Sequence, residues 1–60
     1  MDELKREFYG ISDVANYLGV SKEMIRKLIV NGELKASKIG MKYIVNKVDI
    51  EKYLERNKIN

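Results

Sequence analysis

The stretch that most limits what this chain can fold into is Leu18-Gly19-Val20-Ser21, set between two segments of helical periodicity. Upstream, Ile11, Val14, Ala15 and Leu18 recur at three- and four-residue intervals, which predicts a helix over about Ile11 to Leu18 with one apolar face and Tyr17 beside it. Gly10 stands at its N-cap, Asp13 at its third position, and Tyr9 is placed to staple onto Val14. Downstream, Ile25, Leu28 and Ile29, joined by Val20, form the stripe of a second helix over about Lys22 to Asn31, stopping at Gly32. Gly19 supplies the positive φ that ends the first helix, and the Ser21 hydroxyl caps the second. Two short helices joined this closely have the spacing of a helix-turn-helix.

With only 60 residues, nearly every apolar side chain must enter one small core. There is no room for a catalytic cleft, so no enzymatic activity is expected. Cys and His are absent, which removes disulfides, thiolate metal sites and the commonest general base, so no cofactor or metal is expected. The longest aliphatic run is Leu28-Ile29-Val30, so neither a signal peptide nor a membrane span is expected, and the location expected is cytoplasmic, on the nucleoid when bound.

The net charge of +3 is unevenly spread. Residues 21–47 hold Lys22, Arg26, Lys27, Lys35, Lys38, Lys42 and Lys47 against only Glu23 and Glu33, while the flanking segments are acidic or neutral. The basic excess therefore coincides with the second helix, as on a phosphate-facing surface. A solvated Lys-rich face is the plainer alternative.

After Gly32, Leu34 is a core anchor, and Lys35–Ile39 followed by Tyr43–Val45 reads as two strands around the turn Gly40-Met41-Lys42. Alternation from that turn places Ser37, Ile39, Tyr43 and Val45 inward, and Lys38 and Ile44 outward, with Met41 and Lys42 at the tip. Asn46 caps a third helix with Asp49 at its third position; Ile50, Tyr53 and Leu54 form its apolar face to about Arg56, and Val48 packs beside the hairpin. Residues 1–8 read as a flexible lead-in, 9–56 as the domain and 57–60 as a frayed tail. The expected fold is mainly α with a small β-hairpin, a winged helix-turn-helix.

The pieces Leu18-Gly19-Val20-Ser21, Leu28-Ile29-Val30-Asn31-Gly32-Glu33-Leu34, Lys38-Ile39-Gly40 and Asp49-Ile50-Glu51-Lys52-Tyr53-Leu54, in this order, resemble the excisionase-type DNA-binding domains related to the MerR winged helix. The resemblance covers residues 9–55. It implies that the helix after the turn enters the major groove, which falls on Ser21, Lys22, Glu23, Arg26 and Lys27, and that the wing approaches the backbone or minor groove, which falls on Lys38 and Lys42. At the wing tip, Met41 stands where the family usually carries arginine after glycine. Ile44 replaces a common basic residue. The function implied is sequence-specific binding of double-stranded DNA by a recombination directionality factor that bends DNA and assists an integrase, as a monomer that assembles side by side on its site.

The residue chemistry agrees with this. Arg26 is placed for a guanine O6 and N7, Lys22 and Lys27 flank it, and Glu23 either accepts from cytosine N4, orients Arg26 or forms a plain surface pair. Met24 is a border residue, for the core or for a thymine methyl. Two alternatives share the sequence: a small transcriptional regulator on the same fold, and a protein-interaction module whose basic helix binds an acidic partner.

Overall fold

In the computed structural model, which describes residues 5–59, the chain runs β1 (Phe8–Gly10), α1 (Ile11–Leu18), α2 (Lys22–Val30), β2 (Ser37–Ile39), β3 (Lys42–Asn46) and α3 (Lys47–Arg56). Each helix start is tied down by a side-chain acceptor. Ser21 Oγ accepts from the Met24 amide at 3.1 Å, Asn46 Oδ1 from the Val48 amide at 2.8 Å, and at α1, where Gly10 has no side chain to offer, Asp13 Oδ2 accepts from the Gly10 amide at 3.3 Å. Helix α1 ends at Gly19 with φ 73°, and the amides of Gly19 and Val20 both donate to the Ala15 carbonyl. A β-carbon there would meet no atom within 4 Å, so the need for glycine is a matter of backbone conformation alone.

The core is built from every part of the chain. Val14 of α1, Ile25 of α2, Leu34 of the following loop, Val45 of β3 and Ile50 of α3 are its most deeply enclosed side chains; Tyr9, Ala15 and Leu28 complete it. Ile11, Tyr17, Leu18, Ile29, Ala36 and Tyr53 pack around the edge. The helical phases read from the sequence are those observed, with α2 ending at Val30 and Asn31 as its C-cap. Three residues depart from expectation: Val20, Val48 and Leu54 are each about two-fifths exposed rather than packed. Val20 lies in the turn and Val48 in the first turn of α3, where the chain is still leaving the core surface.

The β structure differs more. The hairpin is part of a three-stranded antiparallel sheet in the order β1-β3-β2, in which Phe8, Tyr9 and Gly10 pair with Asn46, Val45 and Ile44. Phe8 thus belongs to the fold rather than to a lead-in, and the Glu7 carbonyl accepts from the Lys47 amide at 2.9 Å. Residues 1–4 of the expected lead-in, and Asn60 of the expected tail, lie outside the described residues; Asn57 closes α3 through its side-chain amide to the Tyr53 carbonyl.

The hairpin phase is also corrected. Ile39 pairs with Lys42, so the loop is the two residues Gly40-Met41, with Gly40 at φ 61°, and Lys42 opens β3 instead of sitting in the turn. Directly paired residues share a face, so Ser37 lies beside Ile44, and Ile39 beside Lys42, on the outer face. Lys38 shares the other face with Tyr43, its ammonium 5.7 Å from the ring centre. Ser37 and Ile39 are exposed, and Ile44, on the outer face as expected, is half-buried and lines two clefts.

Candidate nucleic-acid interface

A helix with two buried residues a turn apart has a defined outer arc. With Ile25 and Leu28 buried, Lys22, Glu23, Arg26, Lys27 and Val30 are left at the exposed surface of α2. Successive residues turn by roughly 100°, so Lys22 and Arg26 lie on one side of that arc while Lys27 lies on the other. Met24, 45% exposed, sits on the Lys27 side, which settles it as a partly covered surface residue.

Lys22 and Arg26 face the wing. Together with Met41, Lys42, Tyr43 and Ile44 from the hairpin, and Gly10, Ile11, Ser12 and Asp13 from the start of α1, they line an open cleft of about 500 Å³. Two walls supply its cations: α2 gives Lys22 and Arg26, and β3 gives Lys42. The floor is the first turn of α1.

Asp13 is the one acidic residue lining this cleft, and it is already engaged. Arg6 Nη2 is 2.9 Å from its Oδ2, and that hydrogen bond, followed by the Gly10 amide and the charge of Arg6, holds its carboxyl below the usual carboxylate range. Arg6 in turn lies over the Tyr9 ring at 4.7 Å. Its role as the counter-charge of the cleft floor was not anticipated; the signal was present as a lone arginine beside a helix start, too weak to single out.

The other expected site residues fall as follows. Ser21 is exposed, and with its oxygen accepting from Met24 the hydroxyl proton is left to donate outward. Glu23 pairs with Arg26, Oε2 to Nη1 at 3.3 Å, both side chains well exposed. Among its three readings this is an i,i+3 surface pair that also orients the guanidinium. Lys27 is exposed but lies away from the cleft. Lys38 does not line the cleft; it lies on the opposite face of the hairpin to Lys42. Ser12 and Met41 are cleft residues that sequence reasoning did not include; Met41 was visible only as an unusual residue at the tip.

A helix and a strand thus flank a concavity and offer it cations from both sides, Lys22 and Arg26 from one and Lys42 from the other. No helix among the described residues is long and apolar enough to cross a membrane. A family model described as a helix-turn-helix domain matches residues 8–58, nearly the whole chain, and the chain belongs to that family: it is a DNA-binding helix-turn-helix protein. No curated protein and no solved structure matches it significantly.

Proposed function

We propose that this helix-turn-helix protein reads a specific double-stranded DNA site, with α2 in the major groove and the wing on the neighbouring backbone, and that it serves as an excisionase, a small factor that bends DNA and recruits an integrase. The observation that carries the DNA-reading part is the cleft in which Lys22 and Arg26 of α2 face Lys42 of the wing. A helix fits the major groove, the amides and hydroxyl at its start suit a phosphate, and an arginine one turn along is aimed at base edges. The recombination role is supported by the resemblance of the turn, the Asn31-Gly32 segment, the wing and α3 to excisionase-type domains. In this reading the protein performs no chemistry of its own.

A transcriptional regulator would use the same interface and differ only in what it recruits. The test is a selection of bound fragments from random duplex DNA, followed by titration of the selected duplex at several salt concentrations. Tight, salt-sensitive binding that prefers one duplex is expected. Equal binding to all duplexes defeats site-specific reading. For the recombination role, excision of an integrated element that carries the selected site is measured with that element's integrase, with and without the protein; unchanged excision defeats it.

A further inference from the structure

Met41 is 94% exposed, the most exposed large apolar side chain of the described residues, and it stands at the second position of the two-residue loop Gly40-Met41. Nothing in the fold uses it. A hairpin tip in plain solvent is where polar residues or glycine are expected, and here the residues around the thioether are instead cationic: Lys42 follows it directly and Lys38 leaves the other face of the same hairpin. Met41 also belongs to the rim of the cleft that Lys22, Arg26 and Lys42 line.

The geometry of that cleft says where the tip goes. If the cations of its two walls hold one sugar-phosphate strand between them, then the walls occupy the two grooves on either side of that strand. The α2 wall takes the major groove, which admits a helix. The wing wall then takes the adjacent minor groove, and its leading atom is the Met41 side chain rather than any charged group.

We infer that Met41 is an apolar wedge that presses into the minor groove beside the site bound by α2 and partly unstacks one base step, so that the protein selects its flank by how easily that step deforms. This rests on the DNA-reading function proposed above. Thioethers lack the donors needed to read bases by hydrogen bonding, and a flexible unbranched side chain suits insertion at an opened step. The selectivity therefore falls on pyrimidine–purine steps, which unstack readily, over stiff A-tracts.

The experiment uses the duplex recovered by selection, built in two versions that differ only at the flanking step under the wing, TA in one and AA in the other, each carrying a dye at both ends to report bending. Wild-type protein is expected to bend the TA duplex and to prefer it over the AA duplex by about five- to tenfold. Met41→Ala is expected to bind both equally and bend neither, and Met41→Leu to keep most of the preference. Met41→Lys separates wedge from charge: it is expected to bind both duplexes more tightly without restoring the preference. Since the side chain is nearly free of protein contact, none of these variants should shift the melting temperature. Wild type that binds its selected duplex specifically, with Met41→Ala matching it in bend and in preference, overturns the wedge and leaves the DNA reading intact. Wild type that shows no duplex preference at all overturns both.

Discussion

The helix-turn-helix and the sheet divide the molecule into two halves of opposite character. In the first, α1 and α2 bury an unbroken apolar stripe, and the caps at Gly19 and Ser21 fix their ends from within a few residues. In the second, only Tyr9 and Val45 of the sheet are buried; Phe8 and Ile39 on short strands, and Met41 in the hairpin loop, are left in solvent. One half is held by its interior, the other by pairing to β3. Stability should thus be concentrated on the helical side, and with it the ability to read bases, because a side chain reports on a base edge only if its helix does not move.

The largest expected effect tests that division directly. Ile25→Ala removes a fully enclosed side chain and should cost about 2–5 kcal/mol, comparable with the whole stability of so small a domain. Ile39→Ala, on the open face of the sheet, should lie within about 0.5 kcal/mol of wild type. Equal shifts in a thermal melt would remove the distinction between the halves.

The same division explains what could be read without a structure. Helix phases, caps and Leu34 follow from neighbours within one or two turns, and they appear in the fold as expected apart from Val20 and Leu54, which are more exposed than the periodicity predicts. Strand β1 does not, because the partners of Phe8, Tyr9 and Gly10 lie at Asn46, Val45 and Ile44, and nothing local marks a three-residue strand. The hairpin was legible in existence but not in phase. Counting Lys42 into the turn pairs Ile39 with Tyr43; the true loop is one residue shorter, and a slip of one residue turns every β2 side chain to the other face. The site inherits this: Lys22 and Arg26 stand where helix geometry puts them, whereas Lys38 and Lys42, which the family resemblance assigns together to the wing, lie on opposite faces of the hairpin.

On DNA the comparison becomes one of reading against positioning. Arg26→Ala should lose about 1–3 kcal/mol on the selected duplex and much less on random duplex, and Arg26→Lys should not restore it, since the bidentate fork is gone. Titration against single-base variants at one salt concentration provides the measurement. A uniform loss rescued by lysine would make Arg26 a phosphate clamp and erase the contrast with the wing.

Gly19→Ala and Gly40→Ala place the same strain in each half. Both glycines have positive φ and open space where a β-carbon would go, so each substitution should cost about 1–2 kcal/mol from backbone conformation alone. Urea titration then shows whether the halves unfold together: a single transition in both variants is expected, while a hairpin that melts separately in Gly40→Ala would sharpen the division into two cooperative units.

A smaller effect distinguishes the two faces of the wing. Lys42→Ala should lower the slope of log affinity against log salt by about one unit on any duplex, and Lys38→Ala, outside the cleft lining and with its ammonium near the Tyr43 ring, by visibly less. Equal slopes would mean that both faces of the hairpin meet phosphate.

The least effect concerns Asp13. Its carboxyl titrates below the ordinary value in the fold, so the support it gives to the start of α1 is present above about pH 4 and is lost as the pH falls through the lowered value. Asp13→Asn should flatten the acid side of the stability profile slightly and leave the neutral side less stable; because both partners are largely exposed, the change is small. An unchanged acid limb would show that Arg6 and Asp13 are merely neighbours.

The ladder between β1 and β3 also dictates an order of events in time. Turns and helices such as α1 and α2 close within microseconds from contacts between near neighbours, while joining Phe8 to Asn46 closes a loop that contains nearly the whole domain. During synthesis, Tyr9 must wait, unpaired, until Val45 has been made. Strand β1 therefore finds its partner only after most of the domain has been made, and the ring of Tyr9 joins a core whose other members all come from later in the chain.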